Sequence, residues 1–173
     1  MCVTSINNTF FQSIIQKFAA TPPGAWFFAR TAHHLDRLFL KLTRSSRPLV
    51  SIVSGLPAML ITTTGAKSNL PRSLHLVFIR DKEDGSRLAV VASNLGQLHN
   101  PGWYYNLKAH PLAVCTIDGQ TRSYIAHEAY DEEYDRFWQY AVDTYDGYQV
   151  YQQRAGKRKL PILVLVPQEI DVL

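Results

Sequence analysis

The sequence predicts a mainly β chain with a few helices, an α+β fold in which a small closed barrel carries helices across its openings. Two features point there: about six short β-branched or alternating segments recur between regular turn signals, and few helical stretches interrupt them. A third removes the main rival, because no glycine-rich dinucleotide fingerprint follows any strand and a doubly wound sheet is therefore not indicated. With 173 residues, one compact domain with a modest extension is expected. The division falls near residue 50, with an N-terminal helical extension over 1–50 and the barrel domain over 51–173.

In chain order, Phe10, Ile14, Ile15 and Phe18 follow helical spacing until the break at Thr21-Pro22-Pro23-Gly24. A second helix is expected over 25–43, where Trp26, Ala29, His33, Leu35, Leu38, Phe39 and Leu42 oppose Arg30, Asp36, Arg37 and Lys41. Its apolar face either packs on the domain or lies on an anionic membrane surface as a peripheral contact; both readings stay open. The charges are too many for a bilayer span of about 20 residues. Strands follow at 59–64, 73–79 and 87–92, the last two joined through the turn residues of Asp81-Lys82-Glu83-Asp84-Gly85. Asn100 is expected to cap a short helix over 102–110 with Pro101 at its first position. Asp118-Gly119 is the two-residue hairpin signal between strands at 113–117 and 120–127. Asp131 is expected to cap a helix carrying Tyr134, Phe137, Trp138, Ala141, Val142 and Tyr145 at spacings of three and four, and a last strand covers 162–166.

Composition narrows function. Hydrophobic residues make up 46% and aromatic ones 12%, against 18% charged, which excludes general disorder and collagen-like chains. The net charge of +4 favours anionic partners but falls short of a nucleic-acid footprint, so none is expected. Cys2 and Cys115 supply neither a disulfide framework nor a zinc cluster, and the N-terminus has no basic and apolar leader, so a cytoplasmic protein is expected. The six histidines share no ligand spacing and no metal is expected; no nucleophile elbow is present to suggest a hydrolase.

Chemistry concentrates in four places. The turn from Thr62 to Arg72 gathers hydroxyls, Gly65, Lys67, Ser68 and Arg72, and reads either as a solvated hairpin tip or as an anion site built from backbone N–H groups and two cations. Ser93 and Asn94 end a strand, where they either cap the sheet edge or aim donors at a planar heterocycle. Trp103 and Asn106 combine an aromatic surface with an amide that donates and accepts, although core packing explains Trp103 equally well. Tyr145, Tyr148 and Tyr151 recur at intervals of three around Gly147, as packing or as a row of hydroxyls.

Taken in register, Thr62 to Arg72, Ala92 to Gly96, Asn100 to Leu107, Ala109-His110-Pro111 and Tyr145 to Tyr151 resemble the motifs of the deazaflavin-dependent nitroreductase family. The resemblance implies an FMN-binding-like split β-barrel that holds the deazaflavin coenzyme F420. It implies hydride transfer from the reduced coenzyme to an electron-poor acceptor such as an enone, quinone or nitro compound. Carried over, Gly65, Lys67, Ser68 and Arg72 would hold the phosphate and acidic tail. Ser93, Asn94, Trp103 and Asn106 would border the ring, Tyr145, Tyr148 and Tyr151 would line the acceptor pocket, and Tyr148 or Ser93 would polarise the acceptor. The chain departs from the family pattern at Ala66, where many relatives have Arg, and at Asn69, where most have Gly. Those departures keep FMN as the alternative cofactor on the same fold; a non-catalytic carrier that binds flavin or haem-like ligands in a barrel pocket is a separate alternative function. The partner expected is a small-molecule acceptor, for a monomer or homodimer.

Overall fold

A computed structural model describes residues 55–168. The expected helices at 10–18 and 25–43, and with them the helical extension and its membrane-surface alternative, lie outside the described residues. The elements are β1 (Ala58–Thr64), β2 (Pro71–Val77), β3 (Ile79–Arg80), β4 (Leu88–Val91), a 3-10 turn (Asn94–Gly96), α1 (Gly102–Ala109), β5 (Leu112–Ile117), β6 (Gln120–Glu128), α2 (Asp131–Thr144), α3 (Gly147–Arg154) and β7 (Ile162–Pro167). The expected strand at 73–79 is thus two strands. Phe78 turns out of the ladder and donates its amide to Pro57 O at 3.1 Å.

That break decides the architecture. All strand pairs are antiparallel and the sheet order is β2-β1-β5-β6-β7-β4-β3, so β2 and β3 are the two edges. Only Phe78 separates them in sequence. Two successive Cα–Cα steps reach at most ~7 Å, so the sheet must curl until its edges meet. The inward row of β1 is Met59, Ile61 and Thr63; Cys115 and Ala113 stand beside Ile61 and Thr63 on the neighbouring β5, and Tyr124 and Ala126 of β6 extend the same buried face.

β4 and β7 are buried on both faces, which explains their uninterrupted apolar runs. Leu88, Val90, Leu163 and Leu165 fill the barrel, whereas Ala89, Val91, Ile162 and Val164 point outward into a second core beneath α2 and α3. Among the described helices only α1 therefore plugs an opening, through Trp103 and Leu107. It is pinned to β6 where Tyr104 Oη and Lys108 Nζ donate to Glu128 Oε2 at 3.0 and 2.9 Å. α2 and α3 lie on the outer face instead, because the two-sided apolar strands there need cover.

The hairpin at Asp118-Gly119 has φ of 48° and 83°, the doubly left-handed turn that its sequence specifies. Two expected caps are replaced. Pro101 rather than Asn100 precedes α1, and the Asn100 side chain is engaged elsewhere. Asp131 is the first residue of α2, at φ 48°, and no side chain caps that end. Three acidic residues in the first turn still suit the positive end of the helix dipole.

Phe137 is fully buried at the centre of the second core, with the Arg87 and Arg136 guanidinium carbons 5.9 and 5.4 Å from its ring centre. Phe137→Ala should lower unfolding free energy by about 3–5 kcal/mol in chemical denaturation. A loss below about 1 kcal/mol would mean that the ring is not anchoring α2 to the sheet.

Candidate active site

The β1–β2 connection is a tightly hydrogen-bonded loop. Gly65 N donates to Leu70 O at 2.9 Å and Asn69 N to Gly65 O at 2.8 Å. A Cβ on Gly65 would lie 2.6 Å from Ser68 Oγ and 3.2 Å from Leu70 O, so any other residue there would turn the Ser68 side chain away and push the loop backbone back by a few tenths of an ångström. Asn69 has φ 53°, and asparagine is the residue besides glycine that tolerates the left-handed region most readily, so this departure from the family pattern keeps the turn.

Asn106 holds the loop to α1. Its Oδ1 accepts from Ala66 N at 3.0 Å while its Nδ2 donates to Thr63 Oγ1 at 3.1 Å, and Thr63 Oγ1 donates onward to Arg72 O at 3.4 Å. One amide thus ties helix, strand and loop together. Thr63 is buried, and its part in this relay was not evident from the three-threonine run.

Opposite the loop, the chain leaves β4 and makes a left-handed turn through Asn94, Leu95 and Gly96, with φ of 46°, 55° and 81°. Asn94 Nδ2 donates to His99 O at 3.0 Å. Gly96 is obligatory for a second reason, since a Cβ there would meet Arg154 Cβ at 2.7 Å and Tyr151 O at 2.9 Å on α3.

Between these walls lies a groove of ≈ 780 Å³, within the range of about 300–1,000 Å³ common for small-molecule sites. Gly65, Lys67, Ser68 and Arg72 line one side and Asn94, His99 and Asn100 the other, with Trp103 and Asn106 between them. No carboxylate is among the lining residues, and no described Asp or Glu forms an ion pair with Lys67 or Arg72. Two uncompensated cations beside an aromatic surface are a receptor for a planar molecule with an anionic tail.

The groove therefore collects Gly65, Lys67, Ser68, Arg72, Asn94, Trp103 and Asn106, and Ser93 lies next to it in sequence but outside its lining. The three tyrosines are elsewhere. Tyr145, Tyr148 and Tyr151 are buried in the second core with ring centres 5.5–6.3 Å apart, and the Tyr145 and Tyr151 hydroxyls are 3.2 Å apart. They stand one layer behind the Asn94–Gly96 turn, which α3 contacts through Gly96. Burial pushes the Tyr148 and Tyr151 hydroxyls above the ordinary phenol range, so both remain protonated at neutral pH.

A family profile described as F420H(2)-dependent quinone reductase matches residues 36–167. The chain belongs to that family. An F420H(2)-dependent quinone reductase of Mycobacterium tuberculosis is 36% identical over 112 residues, which cover 63% of this chain and 72% of the relative. Among solved structures, an F420-H2 dependent reductase is 33% identical with a TM-score of 0.57, covering 63% of this chain and 93% of that one. A chain described as a domain-swapped dimer is 29% identical with a TM-score of 0.59, covering 83% of this chain and 98% of the other. This member of the quinone reductase family is accordingly an F420-dependent oxidoreductase on a split β-barrel, with coenzyme F420 as its cofactor. The residues present fit that group, since the groove lining includes Trp103 and two cations, Lys67 and Arg72, that have no carboxylate partner among the described residues. No helix among the described residues is long and apolar enough to cross a membrane.

Asn106→Ala removes the bridge between loop and helix from a half-exposed position. We expect the dissociation constant for F420, read by fluorescence titration, to rise about 10-fold, the equivalent of one lost hydrogen-bonded bridge, with little change in melting temperature. Unchanged affinity would show that the loop keeps its shape without the amide.

Proposed function

We propose that the chain reduces a quinone to the hydroquinone with F420H2, the enone and nitro acceptors being further electron-poor substrates of the same groove. The observation that carries this reading is the pair of cations, Lys67 and Arg72, without a carboxylate partner among the described residues and set beside Trp103 in one groove. Lys67, Ser68, Arg72 and the backbone around Gly65 would take the phosphate and acidic tail. Asn94, Trp103 and Asn106, with Ser93 alongside, would border the ring. The reduced coenzyme supplies a hydride, and the protein supplies orientation, electrostatics and exclusion of water.

Quinone reduction takes up one hydride and one proton, so a donor must meet the accepting oxygen. Tyr148 and Ser93 are proposed for that role, with Tyr145, Tyr148 and Tyr151 proposed to line the acceptor side. Burial keeps the Tyr148 hydroxyl protonated and also makes it a weaker acid than an exposed phenol, so donation depends on the acceptor oxygen reaching it. Because the three rings are packed behind the Asn94–Gly96 turn, the proposal requires α3 to move outward when acceptor binds. A homodimer is the oligomeric state proposed, supported by the relative described as a domain-swapped dimer and by Leu112, Ile125 and Val166, which are cross-strand neighbours exposed on the outer sheet face.

Two experiments test the reading. Replacing Lys67 and Arg72 together by Ala should weaken F420 binding at least about 10-fold and flatten its salt dependence, since paired charges at a site with an anion contribute about 1–3 kcal/mol. Affinity for FMN, which lacks the acidic tail, should change less; an F420 affinity indifferent to both cations would overturn the tail assignment. For the donor, Tyr148→Phe should lower kcat with a naphthoquinone about 10²-fold while F420 affinity holds. Unaltered kcat would reduce Tyr148 to a packing residue.

A further inference from the structure

Arg158 lies four residues beyond the end of α3, in a basic run, and nothing in the sequence separates it from Lys157 or Lys159. The structure does. Gly156, at φ 61°, ends α3 with a left-handed residue and sends the chain back toward the sheet. The Gln152 side chain then fixes this segment, its Nε2 donating to Arg158 O at 2.9 Å and its Oε1 accepting from Leu160 N at 3.0 Å.

From there the Arg158 guanidinium spends all its donors on the wall of the groove. Nε donates to Gln97 O at 3.0 Å, Nη1 to Ala92 O at 3.1 Å and to Asn100 Oδ1 at 2.6 Å, and Nη2 to Ser93 O at 2.8 Å and to Gln97 O at 2.7 Å. These five bonds match the five N–H groups that a guanidinium carries. The accepting atoms all belong to residues 92–100 and none is a carboxylate, so the cation is held here for its geometry and not for charge pairing. The carbonyls it grips bracket Asn94 and Leu95, two non-glycine residues in left-handed backbone. Each such residue costs on the order of a rotamer-scale strain that only its surroundings can maintain.

We propose that Arg158 is a positioning residue for the cofactor groove, clamping the left-handed Asn94–Leu95–Gly96 turn so that Asn94 and Asn100 face the ring of F420. The proposal rests on the reading that this groove holds the coenzyme. A lysine cannot replace the clamp, because three tetrahedral donors on a flexible stem cannot meet four oxygens arranged around a planar fork. The same bonds link the groove wall to the segment that follows the tyrosines, so a shift of α3 would be felt at Asn94.

The test uses the full chain with Arg158→Met, Arg158→Lys, Leu95→Gly and the double variant Arg158→Met/Leu95→Gly. Arg158→Met should raise the F420 dissociation constant by about 10-fold or more, as expected for loss of several charge-assisted bonds, and Arg158→Lys should recover little of it. KM for a naphthoquinone should move less than F420 affinity. Leu95→Gly, which also removes a side chain packed on the second core, serves as the reference for the double variant, in which loss of Arg158 should cost less than about 3-fold relative to Leu95→Gly, because glycine adopts the left-handed turn without the clamp. In the coenzyme-free proteins, amide exchange at Gly96 and Gln97, whose N–H groups donate to Ser93 O and Asn94 O, should quicken in Arg158→Met while exchange in β5 and β6 does not. Failure of glycine to rescue, a uniform rise in exchange, or movement of either readout without the other would overturn the proposal. Should the unsubstituted chain fail to bind F420, the cofactor reading falls, and exchange at Gly96 and Gln97 alone decides the clamp.

Discussion

A single residue, Phe78, joins the two edges of a seven-stranded antiparallel sheet. That covalent constraint makes the sheet curl, and the curl creates both an interior and a seam. The interior takes the inward rows of β1, β4, β5, β6 and β7, with Trp103 and Leu107 of α1 filling one end. The seam brings the β1–β2 loop, which belongs to one edge, beside the segment following β4, which belongs to the other. The groove runs between these two segments. Its walls are distant in the sheet order and neighbours only because the barrel closes.

Local chemistry then shapes each wall. On one side, Gly65 and Asn69 let the loop fold back on itself, and Asn106 holds it against β1, with Lys67 and Arg72 lacking carboxylate partners among the described residues. On the other, three successive left-handed residues turn the chain away from β4, and α3 presses on that turn through Gly96. Under the proposed function, charge on the first wall and fixed shape on the second would divide the work of holding a molecule with a polyanionic end and a planar end. Loop, turn and α1 are each tied down by hydrogen bonds of 2.6–3.4 Å, so the movement that the proposed acceptor side calls for falls on α3.

Much of this was legible beforehand where the signal is local. Asp118-Gly119 specified its turn, the apolar run at 162–166 specified a buried strand, and the Gly65–Arg72 and Asn94–Asn106 segments identified both walls. What escaped depends on tertiary partners. The break at Phe78 lies inside an alternating run whose pattern gives no reason to interrupt it, and Asn100 looked like a cap because the sequence does not reveal that Arg158 claims its side chain. The tyrosine spacing gave a shared face correctly, yet that face meets the outer sheet rather than the groove, because β4 and β7 are apolar on both sides and recruit α2 and α3 there.

The division of labour between the two walls is tested most directly by a crystal structure of the chain with F420 bound. The account requires the deazaflavin ring against Trp103 and Asn94, with the phosphate and acidic tail leaving past Ser68 toward Lys67 and Arg72. A ring bound outside the groove, or a tail directed away from both cations, would contradict it.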